Sequence, residues 1–326
     1  MRRHFLGALA AVGLLGSAGC SDGSAQHAAA PSSQPSTTAA EAQATSTPAC
    51  DAPCYAEITN VGSLPSDVVV EVSGMAASRL TPGVYYVVSD EPGTSAVAAV
   101  REDGGLIARV DVEGMSAENA EALAVGPCGT PTAETCLYVG DIGDHVGRDD
   151  VVVYRVPEPD LSEPARTAPA VALRYTYPDE PADAEALVVD DRGRPLIVTK
   201  AVFDATSRTT GPTSLFRGDA GGGVLEDLGV VPVPEPARAV FATLVGNVVT
   251  DASAAEGRVL LRTYDEVLEF RADGDGPDLA GFADWPLRRV PAPSQIQSET
   301  VTYRAGGCGY LTTSELTGSI EAVGCA

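Results

Sequence analysis

Short apolar runs, each ended by glycine, proline or aspartate, recur along the chain from about residue 55 onwards. The runs are rich in Val, Leu, Tyr and Thr, a composition that is typical of β-strands bounded by turns. No stretch sustains apolar residues at helical spacing. The pattern therefore predicts an all-β domain.

A two-strand unit repeats within this region: a small or apolar strand, a turn, and a second strand that ends in a small residue and a polar one. The copies read "SGMAASRLTPGVYYVVSD", "EALAVGPCGTPTAETCLYVGD", "EALVVDDRGRPLIVTK", "TDASAAEGRVLLRTY" and "ETVTYRAGGCGYLTTSE". Further strands follow the copies, as in "VVVYRVPEP". Four-stranded units repeated around an axis are blades of a β-propeller. The repeat favours this fold over a two-sheet β-sandwich.

The repeats predict five blades. Their first strands start at Gly74, Glu121, Glu185, Thr250 and Glu299. A sixth blade between about residues 232 and 248 is an alternative. The last copy is short of strands, so we expect the segment "AEITNVGSL" near Tyr55 to complete it and to close the ring.

The first residues, "MRRHFLGALAAVGLLGSAGC", have the form of a bacterial secretion signal. An apolar run too short to span a bilayer follows two arginines, and small residues lead to Cys20. This end resembles a lipobox, in which the cysteine is acylated; an ordinary cleaved signal peptide is the alternative. We predict a lipoprotein signal peptide at 1–19, a lipidated cysteine and flexible tether at 20–49, and the propeller at 50–326.

This interpretation predicts an exported protein that is anchored to the lipid bilayer of the bacterial cell envelope through acylated Cys20. Ser21, and not aspartate, follows the cysteine, which in a Gram-negative cell favours the outer membrane. The net charge of −24, from 45 acidic and 21 basic residues, argues against nucleic acid as a partner.

The other six cysteines, an even number in an exported chain, predict disulfides. A zinc site is the rival interpretation, but no histidine lies near them in sequence. Each of the favoured local pairs brackets a loop or hairpin; the pairs are Cys50–Cys54, Cys128–Cys136 and Cys308–Cys325.

The ends of the repeated strands define a candidate site. In a propeller, the start of each first strand and the end of each second strand meet at one mouth of the central channel. The mouth is predicted to gather six carboxylates, two cations and a tyrosine, namely Asp90, Glu121, Asp141, Glu185, Glu299, Glu315, Lys200, Arg262 and Tyr264.

Six like charges in one funnel are costly unless a cation or water compensates them. A hard cation such as Ca²⁺ takes six to eight oxygen ligands, and its candidate ligands are Glu121, Asp141, Glu185 and Glu299. A small polar ligand could bind instead, with an anionic group on Lys200 and Arg262. In the third alternative the acids cap strand ends and bind nothing.

Three functions follow from these alternatives. The first is a tethered propeller that binds a ligand, a metal or a protein partner at the acidic mouth. The second is a calcium-dependent phosphoesterase or lactonase-type hydrolase, and the third is a structural interaction scaffold. A serine hydrolase is excluded because His145 is the only histidine of the predicted domain and no G-x-S-x-G motif occurs.

The segments "SGMAAS", "EALAVGP", "LYVGDIGD" with "VVVYRVPEP", "EALVVD" with "LIVTK", "RTYD", and "SETVTY" with "GYLTTSE" resemble a group of exported bacterial propeller proteins that carry a DIGDN-type segment. The chain is more distantly similar to calcium-dependent phytase-like and esterase-like propellers. That resemblance implies an acidic channel mouth that holds metal. His145 stands where the DIGDN pattern has asparagine, and "NAEALA" lacks the expected tryptophan and further acid.

Overall fold

A computed structural model describes residues 55–129, 134–143, 147–162, 166–274 and 278–326. The signal, the tether, Cys20 and the Cys50–Cys54 pair lie outside these ranges, as does His145, so what was inferred for them stays a prediction. In the described ranges no helix is long and apolar enough to cross a membrane.

Strands dominate the described residues and pair into five blades and one small hairpin. In chain order they are β1 (Tyr55–Ser63), β2 (Val72–Ala77), β3 (Val84–Ser89), β4 (Ala96–Arg101), β5 (Leu106–Glu113), β6 (Ala120–Pro127), β7 (Thr135–Asp141), β8 (Val151–Pro157), β9 (Arg166–Pro169), β10 (Val171–Thr176), β11 (Ala184–Val189), β12 (Pro195–Thr199), β13 (Phe203–Asp204), β14 (Thr209–Thr210), β15 (Thr213–Arg217), β16 (Gly223–Val224), β17 (Glu226–Val231), β18 (Val249–Ala255), β19 (Arg258–Thr263), β20 (Val267–Arg271), β21 (Leu287–Val290), β22 (Ser298–Tyr303), β23 (Tyr310–Ser314) and β24 (Ser319–Cys325). A short helix, α1 (Ala242–Val245), and a 3₁₀ turn (Leu279–Asp284) complete the elements.

The blades follow one another along the chain, and the strands of each blade are named in order from the channel outwards. Blade 1 is β2-β3-β4-β5, blade 2 is β6-β7-β8-β10, blade 3 is β11-β12-β15-β17, blade 4 is β18-β19-β20-β21 and blade 5 is β22-β23-β24-β1. β9 extends blade 1 and β16 extends blade 2, each in parallel. The five-bladed prediction is confirmed. Residues 232–248 contain no strand, so the sixth-blade alternative is wrong.

The N-terminal strand closes the ring, as predicted. β1 pairs antiparallel with β24 over its whole length, from Tyr55 opposite Cys325 to Ser63 opposite Ser319. The Tyr55 ring packs edge-to-face on Tyr310, with the ring centroids 5.1 Å apart. The first strand of the domain therefore completes the blade that the last strands begin.

The hydrophobic core consists of five clusters, one between each pair of neighbouring blades. Between blades 1 and 2, for example, Tyr86, Val97, Leu123 and Leu137 are at most 1% exposed. Burying one such aliphatic side chain stabilises the fold by about 1.5–3 kcal/mol. Because each cluster needs both of its blades, the core is complete only in the closed ring.

Two of the predicted disulfides lie within the described residues. Cys128 and Cys136 join the hairpin of β6 and β7, with their Cα atoms 5.0 Å apart. Cys308 and Cys325 join the β22–β23 turn to the end of β24, with a Cα separation of 5.8 Å. Local pairing is confirmed for both, and the second bond fixes the strand on which β1 closes the ring.

Candidate ligand site at the channel mouth

The first strand of every blade carries a β-bulge at its second residue. In each case the pairing with the second strand skips one position, as between Ala120 and Ala122 in blade 2. A bulge leaves one residue out of the ladder and re-aims its side chain. The bulged residues are Ser73, Glu121, Glu185, Thr250 and Glu299.

The bulges correct one detail of the sequence alignment. The repeat placed Gly74 in register with Glu121, whereas the bulge makes Ser73 the equivalent residue. Gly74 lies against blade 2, where a Cβ would come within 2.6 Å of the Leu123 backbone nitrogen. The serine before the glycine was the available signal.

The bulged glutamates and the neighbouring strand ends form what we call the acidic mouth. It comprises seven carboxyl groups, one ammonium group and one phenol, which are close enough to influence one another's pKa or to share hydrogen bonds. They belong to Glu71, Asp90, Glu121, Asp183, Glu185, Glu299, Glu315, Lys200 and Tyr264.

Glu185 and Lys200 form the ion pair of the acidic mouth. The Lys200 ammonium donates to Glu185 Oε1, and the Glu185 side chain is only 7% exposed. Glu185 Oε2 is buried and accepts no hydrogen bond from any described residue. Burial raises the pKa of Glu185 to about 8; Lys200 opposes this shift, and the Glu121 carboxyl adds to it.

Glu121 is held by two polar side chains that the sequence analysis missed. Ser73 Oγ donates to Glu121 Oε2 at 2.5 Å, and Asn119 Nδ2 donates to Glu121 Oε1. Burial raises the pKa of Glu121, although both hydrogen bonds and the nearby Lys200 lower it. The side chain at the bulge of blade 1 thus supports the carboxyl at the bulge of blade 2.

Glu299 and Glu315 form the opposite side of the acidic mouth. Burial raises the pKa of Glu299 well above its ordinary value, and the carboxyls of Glu185 and Glu315 raise it further. Burial, followed by the nearby Glu299 carboxyl, raises the pKa of the Tyr264 phenol, and Gln297 Nε2 donates to Glu315 Oε2 at 2.8 Å. Burial also raises the pKa of Glu315.

Asp90 is the blade 1 member of the acidic mouth. Burial, followed by repulsion from Glu121, Glu71 and Glu315, raises its pKa to about 8. The sequence analysis missed Glu71 and Asp183. Each of them directly precedes the first strand of a blade. That position next to a strand start was the signal that could have found them.

Lys200 remains an ammonium group throughout the neutral range. Burial alone would lower its pKa, but the carboxyls of Glu185, Glu299 and Asp183 raise it above its ordinary value. The only lysine of the chain therefore serves as a fixed cation for the surrounding acids and does not provide a neutral amine nucleophile.

Two of the predicted site residues, Asp141 and Arg262, bind partners outside the acidic mouth. Asp141 accepts the backbone N–H groups of Glu118 and Asn119 at 3.2 and 2.9 Å and pairs with Arg148 at 2.8 Å. It therefore anchors the loop that leads into β6. It supports the acidic mouth through Asn119 and is not itself among the interacting acids.

Arg262 is fully buried where blade 4 meets blade 5. It donates to Pro293 O at 3.0 Å and to Ser298 Oγ. Burial lowers its pKa to about 10, and Glu299 opposes that shift. The guanidinium is therefore directed at the backbone and hydroxyl groups of blade 5, behind the acidic mouth.

The arrangement does not fit a bound calcium ion. Across the part of the chain that the structure describes, no three His, Cys, Asp or Glu side chains are disposed to hold a metal ion together. Oxygens of Glu121 and Glu185 are engaged by Ser73, Asn119 and Lys200, and Ca²⁺ requires six to eight converging oxygens. The site suits an ammonium group, which it already holds, better than a metal cage.

No protein-family profile matches the sequence, and no curated protein is significantly similar to it. Among solved structures, the chain is similar to Myxococcus xanthus glutaminyl cyclase, with 11% identity over 82% of this chain and 95% of that one and a TM-score of 0.42. It is also similar to Staphylococcus aureus virginiamycin B lyase, with 9% identity over 83% and 99% of the two chains and a TM-score of 0.41. It is also similar to a Xanthomonas campestris gluconolactonase, with 11% identity over 83% of this chain and 89% of that one and a TM-score of 0.41. No activity is carried over from these proteins.

Proposed function

We propose that this protein is an exported, lipid-anchored binding protein whose acidic mouth takes up the cationic group of a ligand. The observation that carries the proposal is the buried Oε2 atom of Glu185, which accepts no hydrogen bond from the described residues although Lys200 holds the other oxygen. A buried acceptor without a donor is costly. A ligand ammonium or guanidinium group would supply the missing donor.

The charge balance supports a cationic ligand. Among the residues that the structure describes, Lys200 is the only cation of the acidic mouth, where it faces seven carboxyl groups, and the pKa values of Asp90 and Glu185 are raised to about 8. In the free protein these two groups therefore take up protons at a higher pH than an ordinary carboxyl does. A bound cation would favour their ionised form, so we expect binding to release protons and to tighten as the pH rises through about 8.

The predicted location is consistent with such a binding protein. The apolar run and the small residues before Cys20 have the form of a lipobox. The two disulfides fit an oxidising compartment outside the cytoplasm. An exported protein on a tether would meet its ligands in the cell envelope.

The test is calorimetric titration of the full chain carrying Cys20→Ser with butylamine and, separately, with CaCl₂ at pH 6.5 and 8.5. We expect butylamine to bind more tightly at pH 8.5, with proton release that scales with the ionisation enthalpy of the buffer. Glu185→Gln should weaken binding at least about tenfold, since a charged hydrogen bond is worth about 1.5–3 kcal/mol. Glu226→Gln, an exposed acid of blade 3, is the matched control.

The other outcomes assign other functions. Calcium binding that raises the unfolding midpoint and is lost in Glu185→Gln would restore the metal hypothesis. Turnover of a phosphoester or lactone that disappears in the same variant would make the protein a hydrolase. If neither cation binds at either pH, the proposal is wrong and a scaffold remains.

A further inference from the structure

Beside the acidic mouth, two connections carry exposed aliphatic side chains. Val202, after β12, is 79% exposed, and Val240, Leu244 and Val245, in and before α1, are 46, 70 and 46% exposed. We call these four residues the apolar projection. Single exposed apolar residues are ordinary, but several on one feature mark an interaction surface.

The apolar projection and the acidic mouth lie at the same end of the propeller. The β12–β15 connection begins at Lys200, and the β17–β18 connection ends at Val248, two residues before the blade 4 bulge, Thr250. Because strands within a blade alternate in direction, both connections lie at the end where first strands begin. Val202, in the apolar projection, follows Lys200 of the acidic mouth by two residues, so the two features are neighbours at this end.

The two connections are fastened to each other. Arg208 donates to the Thr243 carbonyl, and the Asn247 N–H donates to Thr210 Oγ1 at 3.1 Å. Gly246, with φ +89°, packs so closely on Phe203 that a Cβ would lie 2.8 Å from the Phe203 Cβ. The small β13–β14 hairpin and α1 thus form one projection.

Asp265, in the β19–β20 turn, fixes this projection to blade 4. Its carboxylate accepts the backbone N–H groups of Val240, Phe241 and Ala242 at 2.9, 3.0 and 2.8 Å. Hydrogen bonds from charged acceptors to backbone amides are among the stronger ones in proteins. The fold therefore holds the aliphatic side chains in solvent and does not let them collapse onto the core.

Aliphatic side chains also flank the acidic mouth on blade 5. Ile296 precedes β22 and Leu316 follows β23, and they are 47 and 61% exposed. Ser314 Oγ donates to the Ile296 carbonyl at 2.5 Å, which joins the two segments. A small amine cannot cover apolar surface on both sides of the acidic mouth, whereas a polypeptide segment can.

The net charge of the chain distinguishes between the larger molecules that could cover the acidic mouth and the apolar projection. A second copy would bring two chains of net charge −24 together, and an anionic lipid surface would be repelled in the same way. A basic segment is attracted by the same charge. Its lysine or arginine supplies the cationic group, and its aliphatic residues supply apolar area.

We propose that the ligand is a basic polypeptide segment that inserts a lysine or arginine side chain into the acidic mouth while its aliphatic neighbours cover the apolar projection. This inference rests on the proposed function, because it names the molecule that carries the cationic group. It adds a second contact surface, so the two proposals can fail separately.

The test uses the full chain carrying Cys20→Ser and three labelled nonapeptides that alternate Lys with Leu, Lys with Ser, and Glu with Leu. Fluorescence anisotropy should show the Lys–Leu peptide binding at least about tenfold more tightly than the Lys–Ser peptide, because aliphatic side chains are buried. The Glu–Leu peptide should not bind. Leu244→Ser with Val245→Ser should weaken Lys–Leu binding about tenfold and leave butylamine affinity unchanged, while Val224→Ser, exposed in the β15–β17 connection, should change neither.

Three kinds of result would overturn the inference. If the Lys–Leu and Lys–Ser peptides bind alike, or the double variant binds the Lys–Leu peptide as wild type does, the apolar projection takes no part, although butylamine binding would still support the proposed function. If sedimentation shows a dimer that the double variant abolishes, the occupant is a second copy. Peptide binding that is insensitive to Glu185→Gln, without any butylamine binding, would contradict the proposed function and, with it, the insertion of a cationic side chain into the acidic mouth.

Discussion

Glu269 and Glu185 are both buried glutamates in a β-propeller, yet their surroundings are opposite. Glu269, in β20, is fully buried and accepts hydrogen bonds from Tyr55 and from Tyr303 at 3.0 Å. Arg271 pairs with it at 2.9 Å and Arg258 lies at 3.9 Å. Each Glu269 oxygen has a partner, and positive charge exceeds negative charge around it.

Glu185 has one cation and several other acids around it. Lys200 engages Oε1, Oε2 accepts no hydrogen bond from the described residues, and burial with Glu121 raises its pKa to about 8. A buried charge that is paired and hydrogen-bonded serves the fold, whereas a buried acid with an excess of like neighbours is costly for the fold. Burial alone therefore does not distinguish a structural carboxyl from a site carboxyl; the balance of its partners does.

The largest expected effect is at the structural carboxyl. Glu269→Ala should lower the free energy of unfolding by about 3–5 kcal/mol, because removing Glu269 leaves two partly buried arginines uncompensated. Tyr55 would also lose the acceptor that ties the closing strand to blade 4. Urea unfolding at pH 7 measures the change. Butylamine affinity of the folded variant should equal that of wild type, and a loss of affinity would mean that the two carboxyls are not independent.

A smaller, pH-dependent effect is expected from Lys200→Met. The variant loses the cation that opposes the raised pKa of Glu185, so that pKa rises further. Above about pH 8 wild type ionises Glu185 beside Lys200, whereas the variant keeps that carboxyl protonated up to its higher pKa. The variant should therefore lose up to about 1.4 kcal/mol relative to wild type for each unit of additional shift. Below that pH Glu185 keeps its proton and the cost is smaller.

Unfolding at pH 6 and pH 9 separates this outcome from a general loss of packing. Arg174→Met removes a partner of the exposed Arg174–Asp150 pair and serves as control. Its effect should stay within about 1 kcal/mol at both pH values, since exposed pairs contribute little. Equal destabilisation of Lys200→Met at both pH values would show that Lys200 matters through its aliphatic stem.

The repeat in the sequence predicted the five blades, their first strands and the closing strand, because each blade repeats the same apolar pattern and turn chemistry. It did not predict the bulges, since alternation cannot show which residue leaves the ladder. Ser73 was therefore missed although it sits beside Gly74. The register of one residue decides whether a side chain faces the channel mouth or a neighbouring blade.

The direction of individual side chains is the second feature that the sequence did not predict. Asp141 and Arg262 were assigned to the channel mouth from strand position, but local partners decide where each side chain goes. Arg148, seven residues beyond Asp141, draws that carboxylate into the β7–β8 connection. Ser298 and the Pro293 carbonyl draw Arg262 into blade 5. Such partners lie far along the chain or in loops without a pattern, so the sequence does not reveal them.

The last expected effect is on the pH dependence of stability. Glu185 keeps its proton up to about pH 8 in the folded state and up to its ordinary pKa, near 4.5, in the unfolded state. Between these values the folded state binds more protons, so its contribution to stability is complete below about pH 4.5 and is lost as the pH rises through about 8. Asp90 contributes in the same direction.

Glu185→Gln removes this titration. Its unfolding midpoint should therefore fall less between pH 5 and pH 8 than that of wild type, by a few degrees, and Asp90→Asn with Glu185→Gln should fall least. Glu226→Gln, exposed and paired with Arg217, should follow wild type. If the unfolding midpoints of Glu185→Gln and wild type change equally between pH 5 and pH 8, Glu185 is already ionised in the folded state. Lys200 would then satisfy it as fully as the arginines satisfy Glu269, and the contrast between the two carboxyls would disappear.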